Sequence, residues 1–117
     1  MGKRDYGDID YLKKIQYHAQ WLTECFSDVN DEQAFINDRR LTDIGSFNVS
    51  LIGEYVNNIS DDLLKRYPEI PWEQIRGIRN RIVHDYDGVN KFVIWDIIKN
   101  DIDPLLETVN RMIDDII

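Results

Sequence analysis

The 117-residue chain is poor in cysteine, proline and positive charge. One cysteine, Cys25, excludes an intrachain disulfide and a Cys-rich zinc site and fits a reducing compartment, so a cytoplasmic location is expected. No apolar run approaches the roughly 20 residues that span a bilayer. The segment from Met1 to Asp10 is polar and acidic rather than signal-like, and Tyr6 stands where a myristoylation motif needs Ser or Thr. Lys and Arg number 14 against 22 Asp and Glu, a formal net charge of -8. Nonspecific duplex-DNA binding draws most of its affinity from counterion release by excess cations, so this balance argues against it. Any nucleic-acid chemistry must come from a local basic patch. There is no Gly-rich phosphate loop and no H-E-x-x-H or dense carboxylate-histidine motif, so neither metal nor cofactor is expected. No stretch alternates with period two, and the expected fold class is all-α.

What the chain does have is helical periodicity. Leu12, Ile15, Ala19, Leu22 and Phe26 put one apolar stripe on a helix from about Asp8 to Ser27. Residues 28–37 are acidic and weakly patterned and are read as a loop with about one helical turn. Leu41, Ile44, Asn48, Ile52, Tyr55, Val56 and Ile59 predict a second helix reaching Ser60, with Asn48 the polar residue in line and Gly45 and Gly53 allowing close packing. Ser60 before Asp61 and Asp62 resembles an N-cap, and the short helix it opens stops before Pro68. Pro71 introduces a helix from Trp72 to Tyr86, closed by Gly88. The pattern resumes at Asn90, and Asp103-Pro104 predicts a cap that splits the C-terminal region into two helices. These elements predict one domain over residues 1–117, a bundle of four to five helices. A chain this short has little interior, so some apolar surface is expected to meet a partner, most economically a second copy.

The candidate chemistry lies in Gln74 to His84, QIRGIRNRIVH, which holds Arg76, Arg79 and Arg81 with no acid before Asp85. A charge run alone is usually a solvated helix face. Arg79 differs, because on an ideal helix Trp72, Ile75, Ile82, Val83 and Tyr86 all fall within about 60° of it. A cation inside an apolar stripe needs an anionic partner: an intrachain carboxylate, an interface carboxylate or a ligand phosphate. His84 is one of two histidines and lies about 140° round the helix from Arg79 and about 7.5 Å along it. The two meet on one phosphate if Arg79 reaches round, if the helix distorts near its end, or if two copies of the helix face each other. His18 falls near the apolar stripe of the first helix and is assigned a structural role, as is Cys25 beside Phe26.

The segment Arg79-Asn80-Arg81-Ile82-Val83-His84-Asp85-Tyr86 resembles the R-x4-H-x-Y signature of the HepT-like (DUF86) branch of the HEPN superfamily. Its surroundings are similar too: Pro68-Glu69-Ile70-Pro71-Trp72 upstream, Gly88-Val89 and Trp95 downstream, and Ile52-Gly53-Glu54 with Asn58 and Ser60 on the earlier helix. Tyr55, Asp87 and Asn90 depart from common family residues, all outside the signature. The resemblance implies a HEPN-type homodimer acting as a metal-independent endoribonuclease, the toxin of a type VII-like HEPN/MNT toxin-antitoxin pair. It implies catalytic roles for Arg79, His84 and Asn80 in a cleft between two copies, and the basic run around them offers Arg76 and Arg81 as further phosphate contacts. Histidine can move protons near neutral pH and arginine offers a permanent cation with fork geometry, so RNA cleavage through the substrate's 2′-OH suits this pair. The resemblance further implies that a cognate minimal nucleotidyltransferase antitoxin transfers AMP onto Tyr86, setting negative charge where substrate phosphate binds. Two other readings stand beside it: a non-catalytic nucleotide-binding or accessory subunit of a nucleotidyltransferase, and an adaptor bundle with a buried Arg79 salt bridge. His84 discriminates, because a pure anion binder has little need of a proton shuttle.

Overall fold

The computed structural model of the chain describes residues 3–84 and 90–117, with side chains for residues 7–78 and 90–117. The described residues are helical, as the periodicity predicts, and contain no strand. Four long helices carry the fold: α1 (Lys3–Phe26), α3 (Arg39–Asn57), α5 (Trp72–His84) and α7 (Ile102–Ile116). Three short ones, α2 (Glu32–Asn37), α4 (Asp61–Lys65) and α6 (Lys91–Asp96), complete it. The described helices thus exceed the four to five expected, and the excess is in short elements.

The stripe predicted on α1 is the centre of the core. Leu12, Ile15, Ala19 and Leu22 are fully buried, and α1 packs on both α3 and α7. Leu105, Val109 and Met112 face it from α7. α1 begins at Lys3, earlier than the stripe suggests. Its early residue Asp8 is buried and accepts from the Ser60 backbone N–H at 3.0 Å and from the Ser60 hydroxyl at 2.7 Å. Ser60 is the N-cap residue of α4, as the sequence suggests, but its side chain makes no capping bond to that helix. Hydrogen bonds to a buried carboxylate are worth about 1.5–3 kcal/mol each, more than an exposed cap, so the hydroxyl turns to Asp8.

Residues 28–37, read as mostly loop, contain α2. Asp31 caps it by accepting from the Gln33 N–H at 3.3 Å. A six-residue helix shows no periodicity when one residue, Phe35, is buried. Phe35 is fully enclosed, its ring 5.6 Å from that of Phe26 and 5.3 Å from that of Trp95. α3 then starts on Asp38, whose carboxylate accepts from the N–H groups of Arg40 at 3.0 Å and Leu41 at 3.3 Å. The close approach expected at a glycine is real at Gly45, where a Cβ would sit 2.9 Å from Ile98 Cδ1.

The C-terminal region is divided, but not at Asp103-Pro104. α6 opens with Asn90 accepting from the Val93 N–H at 3.3 Å, and one π-helical turn, Ile97–Asp101, leads into α7. The Ile102 N–H bonds the carbonyl of Ile97, five residues back. Pro104 is the third residue of α7. It has no N–H for the carbonyl four residues earlier and its ring would crowd that carbonyl, so a widened turn just upstream relieves the conflict without ending the helix.

Asp101 lies in this turn, and burial, together with the neighbouring Asp96 carboxylate, raises its pKa above the ordinary value of 3.8. A raised carboxyl pKa means the folded chain holds this proton more tightly than the unfolded one. Stability from this group is therefore full below the unfolded pKa and falls as pH rises through the folded one. Asp101→Asn is expected to raise Tm at pH 7 and to remove that fall, with the two chains converging near pH 3 in thermal melts.

Candidate active site

α5 starts where Pro71 ends the preceding loop. Trp72 is buried, and its indole N–H donates to the Tyr67 carbonyl at 2.9 Å, so the first turn is anchored to the segment after α4. The helix then packs along α3, with Ile75 and Ile78 in the core. It continues to His84 and so carries Arg76, Arg79, Asn80, Arg81 and His84 on one rigid element. The side chains of Arg79, Asn80, Arg81 and His84, and Tyr86 altogether, lie outside the described residues.

Arg76 is described, and it is not a free cation. Its Nη1 donates to Glu73 Oε1 at 2.9 Å and its Nη2 pairs with the Asp61 carboxylate. Nε is buried without a hydrogen-bond partner. Two carboxylates already oppose this guanidinium, and Asp61 opens α4, so Arg76 ties α4 to α5. A phosphate at Arg76 would compete with these two acids for the guanidinium. Beside it, a cleft of about 560 Å³ is walled by Leu64, Pro68, Pro71 and Trp72.

The remaining sequence assignments divide cleanly. His18 is structural, as expected: its Nδ1 lies 2.8 Å from Asn48 Oδ1, while Asn48 Nδ2 donates to the Ile44 carbonyl at 2.8 Å. The one polar residue in the α3 stripe is thus satisfied by α1 and by its own helix. Cys25 is half-buried, and burial, aided by Glu24, pushes its thiol pKa up from 9.0, the opposite of an activated nucleophile. Among the described residues no group of three or more His, Cys, Asp or Glu is arranged to hold a metal ion. Nor is any described helix long and apolar enough to cross a membrane.

One feature escaped the sequence reading. Tyr17 is 69% exposed, Trp21 47% and Phe47 63%, and with Ile44 they line one cleft between α1 and α3. Tyr17 and Trp21 are four apart and off the core stripe of α1, which is the signal that could have found them.

A family model described as ribonuclease HepT-like matches residues 6–112, which include α5 and the whole R-x4-H-x-Y segment. The chain belongs to this family. A relative from Caldanaerobacter subterraneus named "Putative RNase" is 30% identical over 103 residues, covering 88% of this chain and 91% of its own. A Methanocaldococcus jannaschii protein also named "Putative RNase" is 30% identical over 106 residues, 91% of this chain and 87% of that one. "Probable ribonuclease HepT" of Thermococcus cleftensis is 32% identical over 101 residues, 82% and 86% of the two chains. No solved structure matches the chain.

Proposed function

We propose that this HepT-like chain is an endoribonuclease working without a metal ion, with Arg79 and His84 of α5 as its reacting pair. The observation that carries the reading is the family match, which runs through the whole signature, joined to a helix that holds both residues on one rigid element. In the proposed reaction His84 accepts the proton of the ribose 2′-OH. The 2′-oxygen bonds to phosphorus, the P–O5′ bond breaks, and the leaving 5′-oxygen takes a proton from the second copy's histidine or from water. The products are a 2′,3′-cyclic phosphate and a 5′-hydroxyl. Arg79 offsets the charge gathering on the non-bridging oxygens, and Asn80 orients the imidazole or the substrate. Arg81 adds a phosphate contact, and Arg76 does so in competition with Glu73 and Asp61.

The physiological setting proposed is a toxin-antitoxin pair. A minimal nucleotidyltransferase would transfer AMP from ATP to the Tyr86 hydroxyl with release of pyrophosphate, and the new phosphodiester would repel substrate.

The experiment is RNA cleavage by purified protein in excess EDTA. Products ending in 2′,3′-cyclic phosphate are expected; cleavage only after a divalent metal is restored would overturn the mechanism. In the antitoxin arm, intact mass should show AMP adducts that Tyr86→Phe lacks, and the adduct should silence cleavage. An adduct that leaves cleavage intact refutes the block.

A further inference from the structure

A cavity of about 390 Å³ lies between α5 and the segment that runs from α6 through the π turn. Its size falls in the range of small-ligand pockets, roughly 300–1,000 Å³. Gln74, Ile75 and Ile78 of α5 form one wall, and Phe92, Asp96 and Asp101 form the other. Ile75 and Ile78 serve the core, but three of the others are not employed by the fold. Phe92 is 58% exposed, although Ile94 two residues on is fully buried. Gln74 is exposed as well. Asp101 is half-buried and stands directly before α7, where a carboxylate ordinarily caps, yet its side chain makes no capping bond. The π turn explains why. The Ile102 N–H already bonds the Ile97 carbonyl, and the helical backbone at Asp101, φ -107° and ψ -26°, carries the chain straight on. Burial and the Asp96 charge both act on this carboxyl group, and no hydrogen bond among the described residues offsets them. A half-buried carboxylate without donors is costly unless a ligand brings them, and π turns recur at functional sites.

We propose that this cavity holds an unpaired guanine base of the RNA, stacked on Phe92, with guanine N1–H and N2–H donating to the two carboxylate oxygens of Asp101. Gln74 offers an amide N–H to O6. The inference rests on the proposed function for the ligand being RNA, and it adds the base that the chain selects.

The donor pattern makes the selection. An ionised carboxylate accepts hydrogen bonds and donates none. Along its pairing edge guanine presents two adjacent N–H donors. Adenine and cytosine present a donor beside a ring acceptor, and uracil presents one N–H between two carbonyls. Guanine alone therefore serves both oxygens of Asp101 without setting an acceptor against one of them. Stacking on an aromatic ring and reading the pairing edge is how proteins commonly recognise unpaired RNA bases. Asp96 is not the reader, because its Oδ1 already accepts from Asn100 Nδ2 at 2.6 Å. Its charge beside Asp101 instead keeps phosphate out of the cavity, so the RNA backbone must run outside it. Position 81 follows three residues after Ile78, about 4.5 Å further along α5, so a nucleotide seated here by its base leads its backbone toward the reacting segment.

The test uses the full chain and fluorescently labelled 2′-O-methyl oligouridylates carrying one central guanine or one central inosine, read by anisotropy. These strands have no free 2′-OH to attack with, so binding is measured apart from cleavage. Inosine lacks only the 2-amino group. Wild type is expected to bind the guanine strand at least about 10-fold more tightly, the worth of one hydrogen bond to a charged group. Asp101→Asn, nearly the same in shape and expected to melt higher at pH 7, should erase that preference. Phe92→Ala should weaken both strands alike, by about 5-fold or more. Equal binding of the two strands by wild type, a preference that survives Asp101→Asn, or an affinity indifferent to Phe92→Ala overturns the proposal, as does no binding of either strand. A preference that behaves as stated in a chain that cleaves no RNA leaves the guanine site standing and removes the ribonuclease reading. RNA cleavage by a chain that binds both strands equally does the reverse.

Discussion

His84→Ala is expected to lower RNA cleavage by about 10²- to 10⁴-fold, the range a positioned general acid or base contributes, while leaving Tm within a degree or two. The two outcomes separate because the described anchoring of α5 lies upstream of His84, in Trp72, Ile75 and Ile78. Gel-resolved cleavage of a labelled RNA in EDTA measures the first quantity and a thermal melt the second. Arg79→Ala should also abolish cleavage, and the pair then reports on assembly. If each site takes Arg79 from one protomer and His84 from the other, an equal mixture of the two inactive chains regains about a quarter of wild-type activity: half of the dimers are mixed, and each has one intact site. If both residues of a site come from one chain, the mixture stays dead. Retained cleavage in His84→Ala would strike this histidine from the mechanism outright.

The largest expected effect on stability sits in the segment the sequence read as mostly loop. Phe35→Ala should cost about 3–5 kcal/mol, the usual range for emptying a buried aromatic site. Phe35 is wholly enclosed, packs edge-to-face on Phe26, tilts against Trp95, and is one of the atoms crowding Gly45. Its loss opens a void where α1, α2, α3 and α6 meet, and rigid helices collapse into such a void only in part. For a chain of this length, Tm should drop by roughly 10–25 °C, read by circular dichroism at 222 nm. A loss under about 1 kcal/mol would mean that α2 is dispensable to the core.

Periodic burial is what made the main helices legible. α1, α3, α5 and α7 each bury a stripe long enough to repeat, and most apolar residues chosen from spacing alone, Leu12 to Phe26 and Leu105 to Met112 among them, are buried, while Leu41, Ile44, Tyr55 and Ile116 are half-buried. The Arg79-to-Tyr86 signature was likewise a property of order along the chain, and the family match runs through it. Tertiary structure decided the rest, for reasons that lie in other parts of the chain. α2 exists because one ring, Phe35, finds a cavity made by three distant segments, and a single anchor leaves no period to read. Ser60 abandons its cap because Asp8, fifty-two positions away, needs donors in a dry site. Pro104 marks no break because the preceding turn widens to take it. Arg76, a basic residue in a basic run, is occupied because folding brings Asp61 to it. Local patterns fix which face of a helix is buried; only packing sets what each polar group on that face meets.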